Sequence, residues 1–300
     1  MKNLCNLCPR KCNIDRTNNV GFCNSSENLK IAKVMIHYFE EPIISGDNNL
    51  TQNGSGTIFF SNCSLKCCYC QNSEISSGGE GKEISVETLA DIFKQLENAG
   101  ANNINLVTPT HYSKQIVEAL NIYRPAIPIV WNTSGYENPE IINSLKDYID
   151  IYLTDLKYFS SEISQKYSKA KDYFDNASNA ILQMRKNQPV DIIENGLMKK
   201  GLIIRHMILP NQTNDSKIII DWINKNLGNS TIISLMSQYV PMANAKLYPE
   251  INRKIKPIEY KLVLNLLKKL NFNNCFIQEL ESAETCYTPN FREIDNTFKY

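Results

Sequence analysis

The sequence predicts an α/β protein built on parallel strands, and two observations carry that prediction. Short apolar, β-branched runs recur at 57–60, 104–107, 127–131, 149–153, 202–209 and 231–236, each nearly continuous in apolar residues, as strands buried on both faces are. Helical patterns fill the intervals between them. Six β-then-α units in that order, joined by right-handed crossovers, fold into a parallel sheet or a barrel, open or closed.

The elements follow in turn. The first 50 residues read as an irregular cap rich in Asn and Cys, with one strand at 30–39. After the first core strand, Val86, Leu89, Phe93 and Leu96 recur at helical spacing, with Ser85 as N-cap and Gly100 as the stop. Further helices are expected near 113–124, 137–148, 160–186, 214–227 and 257–270. In the last of these Ile258, Leu262, Leu266 and Leu270 line one stripe. Residues 188–200 read as a loop insertion before the fifth strand. There is no internal repeat, low-complexity tract or long linker. The expected organisation is a cysteine-rich metal-binding cap over 1–50, a core over 51–280 and a C-terminal tail over 281–300.

Composition narrows the function. Apolar residues make up 42% and charged residues 21% of the 300, which excludes wholesale disorder. Thirty-two basic against 31 acidic residues leave a net charge of +1, so no basic nucleic-acid surface is expected. No uncharged apolar run approaches the roughly 18 residues of a membrane span, and the N-terminal MKNLCNLCPRKC lacks the apolar core of a secretory signal. The expectation is a soluble, cytoplasmic protein with neither nucleic acid nor membrane as partner.

Ten cysteines are the outstanding feature. A reducing compartment disfavours a disulfide framework, which leaves metal or thiol chemistry. Cys5, Cys8, Cys12 and Cys23 form one group, in the pattern C-x2-C-P-R-x-C-x10-C. Cys63, Cys67, Cys68 and Cys70 form another, and only Cys275 and Cys286 lie elsewhere, as ordinary buried thiols. Four N-terminal thiolates can close a structural zinc site or hold an auxiliary Fe–S cluster. In the second group, Cys63, Cys67 and Cys70 have the spacing C-x3-C-x2-C on the loop leaving the first core strand. Three thiolates leave one iron of a [4Fe–4S] cluster without a protein ligand, open to substrate or cofactor. A three-cysteine zinc site is the bland alternative.

That loop, entered by Gly54-Ser-Gly-Thr and followed by βα units, resembles the radical S-adenosylmethionine (radical SAM) superfamily. The resemblance implies a partial (β/α)6 barrel, with Cys63, Cys67 and Cys70 as ligands of a [4Fe–4S] cluster, Tyr69 packed near it and Cys68 as a small packing residue. It implies SAM as cofactor, chelated to the open iron and cleaved reductively to methionine and a 5′-deoxyadenosyl radical that abstracts hydrogen from a substrate. It further implies an electron donor such as flavodoxin or ferredoxin. Gly78-Gly79-Glu80 matches the family's Gly-Gly-Glu motif but precedes the first core helix and reads as a surface turn. The end of the second core strand instead offers Thr108 and Thr110 to the SAM amino group.

Other candidates stand at the C-terminal ends of strands, where parallel α/β folds place their sites. They are Asn132, Thr133 and Ser134 after the third strand, Asp155 and Lys157 after the fourth, Arg205-His206 in the fifth, and Ser237-Gln238-Tyr239 after the sixth. A period of two points Asp155 and Lys157 to one face, and charges leaving an apolar strand need each other or a ligand. The segments around His37–Gly46, Asn105–Tyr112, Asn132–Tyr136, Asp155–Tyr158 and Leu235–Tyr239 resemble the uncharacterised Fe–S subgroup similar to pyruvate formate-lyase activating enzymes. By that likeness Asp155 and Lys157 face SAM or substrate, Tyr239 stacks near the adenine, and hydrogen is taken from a protein glycine or a small molecule. His111 is a pocket candidate in the second-strand loop. His37 closes the barrel mouth or lies on the surface, and His206 is a core residue or a pocket wall. Two other classes remain at this point: a non-catalytic Fe–S electron carrier or scaffold, and a zinc-stabilised nucleic-acid module, which the charge balance disfavours.

Overall fold

The computed structural model describes residues 4–46, 53–278, 289, 291 and 297–300. Its strands are β1 (Lys30–His37), β2 (Ser55–Phe60), β3 (Lys82–Glu83), β4 (Ile104–Val107), β5 (Ile129–Thr133), β6 (Ile151–Asp155), β7 (Ile192–Glu194), β8 (Leu197–Met207), β9 (Ile232–Met236) and β10 (Cys275–Ile277). Its helices are α1 (Pro42–Ser45), α2 (Ser73–Ser76), α3 (Val86–Asn98), α4 (Ser113–Ile122), α5 (Pro139–Ser144), α6 (Ser161–Ser168), α7 (Tyr173–Asn187), α8 (Thr213–Leu227) and α9 (Pro257–Lys269).

One sheet runs in the order β10-β9-β8-β6-β5-β4-β2-β1-β3, with β7 paired to β8. From β2 to β10 along that path every neighbour is parallel. β1 pairs antiparallel with β2, and β3 with β1. The sheet is open, with β10 at one end and β3 at the other, as a partial barrel requires. Its strands are buried on both faces: β2, β5 and β6 contain no exposed residue. The strand expected in the cap is thus part of the main sheet.

Local chemistry explains the elements. Ser85 caps α3, its hydroxyl accepting the Thr88 N–H at 3.2 Å, while Leu89, Phe93 and Leu96 bury the inner face. Gly100, at φ +81°, turns the chain back towards β4. The single helix expected over 160–186 is two, because Lys169 adopts φ 56° and the Lys169 and Ala170 N–H groups close on the carbonyls of Gln165 and Ser164. Residues 188–200, read as a loop, form instead the hairpin β7–β8, whose β7 residues are all exposed. The stripe expected in α9 is rotated. Tyr260, Val263 and Leu267 face the core, while Ile258 and Leu262 are exposed and Leu266 and Leu270 pack at its edge. Cys275 is half-buried in β10, and Cys286 lies outside the described residues. No helix among the described residues is long and apolar enough to cross a membrane.

Candidate active site

The C-terminal ends of β2, β5, β6, β8 and β9 surround one cleft of about 240 Å³. Among its lining residues are Cys67, Tyr69, Cys70, Asn132, Asp155, Lys157, Arg205 and Gln238, with Phe39, Phe59, Met207 and Met236 as the apolar wall. Strand alternation decides who faces it: Asp155 and Lys157 point in together, as do Arg205 and Met207, and Met236 and Gln238.

The cysteine loop is fixed from below. Ser61, just past β2, donates its hydroxyl to the Glu80 carbonyl, and its own carbonyl meets His111 Nε2 at 2.8 Å. Each sulfur then has a nearby polar group. The Leu65 N–H points to Cys63 Sγ at 3.4 Å, Ser168 Oγ donates to Cys67 Sγ at 2.9 Å, and Ser76 Oγ lies 3.2 Å from Cys70 Sγ. Tyr69, Tyr158 and Ser168 form a hydroxyl chain, with 2.5 Å and 2.6 Å links, that ends on Cys67. Burial pushes the Cys63 thiol up, and the neighbouring Cys67 and Cys70 add to it. Burial likewise raises Cys67, against the pull of Lys157. Three reduced sulfurs on one turn, each with a hydrogen-bonding neighbour and two of them opening into the cleft, suit the three protein corners of an Fe–S cluster. Cys68 faces away, its backbone bonded to Tyr167 and Asn244, and packs in the core.

A charged network forms the opposite wall. Lys157 Nζ lies 2.5 Å from Asp155 Oδ2. Arg205 donates to Asp155 Oδ1 at 3.0 Å, to Glu40 Oε2 at 3.3 Å and to Asn132 Oδ1 at 2.5 Å. Asn105 and Asn132 both donate to Glu40 Oε1, at 3.0 Å and 3.4 Å. Burial by itself would raise the Asp155 carboxyl, but Lys157 and Arg205 outweigh it and hold it below the ordinary range. Burial opposes the Lys157 charge too, yet Asp155 and Cys67 outweigh it and raise its pKa. Both charges therefore persist at neutral pH, as buried charges do when each has partners.

Several expected residues lie off the cleft. His111 is buried against Tyr112 and holds the cysteine loop through Ser61, with burial lowering its pKa to about 4. His206 is on the opposite face of β8 from Arg205. Its Nδ1 is 2.7 Å from the Leu156 carbonyl, and burial lowers its pKa to about 4. Tyr239 packs edge-on against Tyr69 and donates to the Ile251 carbonyl at 2.8 Å. Thr110 and Thr133 both donate to Glu137 Oε1, at 2.6 Å and 2.5 Å. Thr108, at φ 59°, bonds through its N–H to the Asn132 carbonyl, and Ser134 offers its carbonyl to the Tyr173 hydroxyl. Gly78 and Gly79 lie in a turn between α2 and β3, away from the strand ends, where the Gly79 carbonyl accepts from Lys30 at 2.6 Å. His37 is buried, lines the cleft and stands edge-on to Phe39 and Phe59.

Three residues of the site were missed or underused by sequence reasoning. Arg205 and Glu40 complete the network, and the signal was available in Arg205, a cation inside an apolar strand. Glu137 is a wholly buried carboxylate below the cleft. Besides the two threonines, Trp131 Nε1 donates to it at 3.2 Å, while its Oε2 has no partner among the described residues. Burial outweighs those hydrogen bonds and raises its pKa to about 7.

The cap packs beneath the cysteine loop. Cys12 and Cys23 sulfurs flank Gly21, where a Cβ would come within 3.3 Å and 3.6 Å of them. Cys8 is buried, and burial pushes its thiol up to about 12. Among the described residues no three His, Cys, Asp or Glu side chains converge as a single metal ion needs.

Comparison with known proteins agrees with this architecture. The family model described as the radical SAM superfamily matches residues 57–223. The uncharacterized protein MJ0674 of Methanocaldococcus jannaschii is 32% identical over 279 residues, covering 90% of this chain and 75% of that protein. Among solved structures, SuiB of Streptococcus suis bound to its precursor peptide SuiA has a TM-score of 0.50 at 14% identity, over 74% of this chain. The FeFe-hydrogenase maturase HydG of Carboxydothermus hydrogenoformans has a TM-score of 0.48 at 17% identity, over 75% of this chain. The chain spans about half the length of each, 48% of SuiB and 54% of HydG.

Proposed function

Because the chain belongs to the radical SAM superfamily, we propose that Cys63, Cys67 and Cys70 hold its [4Fe–4S] cluster and that the cleft above them binds SAM. The observation that carries this reading is that Cys67 and Cys70 share one cleft with the Asp155–Lys157 and Arg205–Glu40–Asn132 network. Held there, the reduced cluster would supply the single electron for reductive cleavage of SAM, the chemistry that hydrogen abstraction from a substrate needs. The chain's own residues do the rest. Lys157 offers an ammonium to a carboxylate, while Asp155 and Glu40 offer acceptors to an amino group or to ribose hydroxyls. Ser168 and the Leu65 N–H hold the sulfurs, and Met207, Met236 and Phe59 keep bulk water from the reacting carbon. His111, Thr110 and Thr133 are positioning residues beneath the site.

The hydrogen donor is a polypeptide segment, as in the glycine-abstracting activases that this subgroup resembles. The support for a peptide over a small polar molecule is Phe39, an apolar side chain that lines the cleft while 58% exposed. A one-electron donor of the flavodoxin or ferredoxin class supplies the reductant, and the first 50 residues act as a metal-binding cap.

The test is anaerobic reconstitution, reduction with dithionite, and addition of SAM, with 5′-deoxyadenosine measured by chromatography and the cluster followed by EPR. A SAM-dependent change in the EPR signal together with deoxyadenosine supports the reading. A reduced cluster whose signal SAM leaves unchanged would favour the non-catalytic carrier instead. Transfer of deuterium from a labelled glycyl peptide to deoxyadenosine tests the donor.

A further inference from the structure

Ser168 is the last residue of α6, and three contacts fix where its hydroxyl can reach. The Cys68 N–H bonds the Tyr167 carbonyl at 2.8 Å, tying the end of α6 to the cysteine loop. Lys169 then turns the chain away at φ 56°. Arg10 straps the two segments together, donating to the Ser64 carbonyl at 2.9 Å and to the Ser168 carbonyl at 3.3 Å. Held in this way, Ser168 Oγ stands 2.9 Å from Cys67 Sγ. The Tyr158 hydroxyl lies behind it at 2.6 Å, and the Tyr69 hydroxyl behind that at 2.5 Å.

The direction of this chain follows from counting protons. A ligating thiolate carries none and can only accept. Ser168 therefore gives its one hydroxyl proton to Cys67 and accepts from Tyr158, and Tyr158, its proton given to Ser168, accepts from Tyr69. Burial keeps bulk water from competing, since Tyr158 and Ser168 are wholly enclosed and Tyr69 is 5% exposed. Three O–H dipoles thus lie head to tail with their positive ends towards one sulfur, and each polarises the next. The neighbouring sulfurs differ. Among the described residues Cys63 Sγ faces the single Leu65 N–H, and Cys70 Sγ the single Ser76 hydroxyl.

We propose that Ser168, Tyr158 and Tyr69 are positioning residues that set the reduction potential of the cluster through Cys67. Hydrogen bonds to cluster sulfurs favour the state with more negative charge, which is the reduced one. The chain therefore raises the potential and eases the one-electron reduction on which SAM cleavage depends. Its hydroxyls transfer no proton in the reaction and make no bond to substrate. This rests on the reading of Cys63, Cys67 and Cys70 as the cluster site, and the two fail on different signals.

The experiment uses the full chain, reconstituted anaerobically with iron and sulfide. The EPR signal that a C63A/C67A/C70A variant lacks is followed through a redox titration, with bound iron measured in every variant. Ser168→Ala removes the bond to the sulfur and should lower the potential, shifting the one-electron equilibrium about tenfold, or about 59 mV. Tyr158→Phe and Tyr69→Phe each remove one oxygen from the chain, and should lower it by successively smaller amounts with iron content unchanged. A merely structural role would change iron content or stability and leave the potential of the assembled cluster where it was. An unchanged or raised potential in Ser168→Ala or in Tyr158→Phe would overturn the proposal. If Ser168→Ala assembles no cluster, Tyr158→Phe decides. The cluster-site reading fails on a different signal, an EPR spectrum that C63A/C67A/C70A leaves unchanged, and that result would remove the tuning with it.

Discussion

Glu137 offers a measurement of what burial costs this site. Its carboxylate is fully enclosed, accepts three hydrogen bonds on Oε1 and has none on Oε2. Burial raises its pKa from 4.5 to about 7. A raised carboxyl means that the folded chain binds the proton more tightly than the unfolded chain. The stability it contributes is therefore fully present below pH 4.5, declines as pH rises towards 7, and is gone above. Each pH unit across that window is worth about 1.4 kcal/mol, so the loss totals roughly 3 kcal/mol. Glu137→Gln keeps an acceptor for Thr110, Thr133 and Trp131 but cannot ionise. Urea unfolding of the anaerobic, metal-free wild type and variant, from pH 4 to pH 8.5, isolates this group, since every other titration is shared. The variant should gain on the wild type by about 3 kcal/mol between the two ends. A difference that stays flat, or that favours the wild type as pH rises, would refute burial as the dominant influence on Glu137.

Other consequences are equally direct. Cys70→Ala removes one protein corner of the proposed cluster, so the iron held at that site and all deoxyadenosine formation should be lost, checked by iron assay and chromatography. Arg205→Ala leaves Asp155 and Glu40 buried without their shared cation, which should cost about 3–5 kcal/mol in chemical denaturation, and Arg205→Lys should recover only part of it because the three-way fork is lost. Gly135 sits at φ +80°, and a Cβ there would stand 2.2 Å from the Asp155 carbonyl oxygen. Gly135→Ala should therefore destabilise the chain by more than about 1 kcal/mol and displace Asp155, read as a lower melting temperature together with weaker SAM binding in calorimetry.

The sequence by itself determined the order of the βα units, because continuous apolar runs separated by helical periodicity have few other solutions. The 104–107 strand, the Ser85 cap, the Gly100 stop and the pairing of Asp155 with Lys157 all follow from local rules of two or a few residues. The open-site cysteine spacing was equally local. What the tertiary structure decided was which face of each strand looks into the cleft, and what lies behind it. Arg205 and His206 are neighbours in sequence, and alternation along β8 puts them on opposite faces, but only the assembled sheet decides that the first looks into the cleft and the second into the core. The hairpin at β7–β8 and the rotated stripe of α9 escaped for the same reason, since which side is covered depends on partners far along the chain. Glu40 meets Arg205 across 165 residues, Arg10 meets Lys169 across 159, and Glu137 receives Thr110 from another strand end. Periodicity reports which residues are apolar and at what interval. The contacts that set charge and position in this protein are long-range, and they form only when the sheet brings distant strand ends and the cap together.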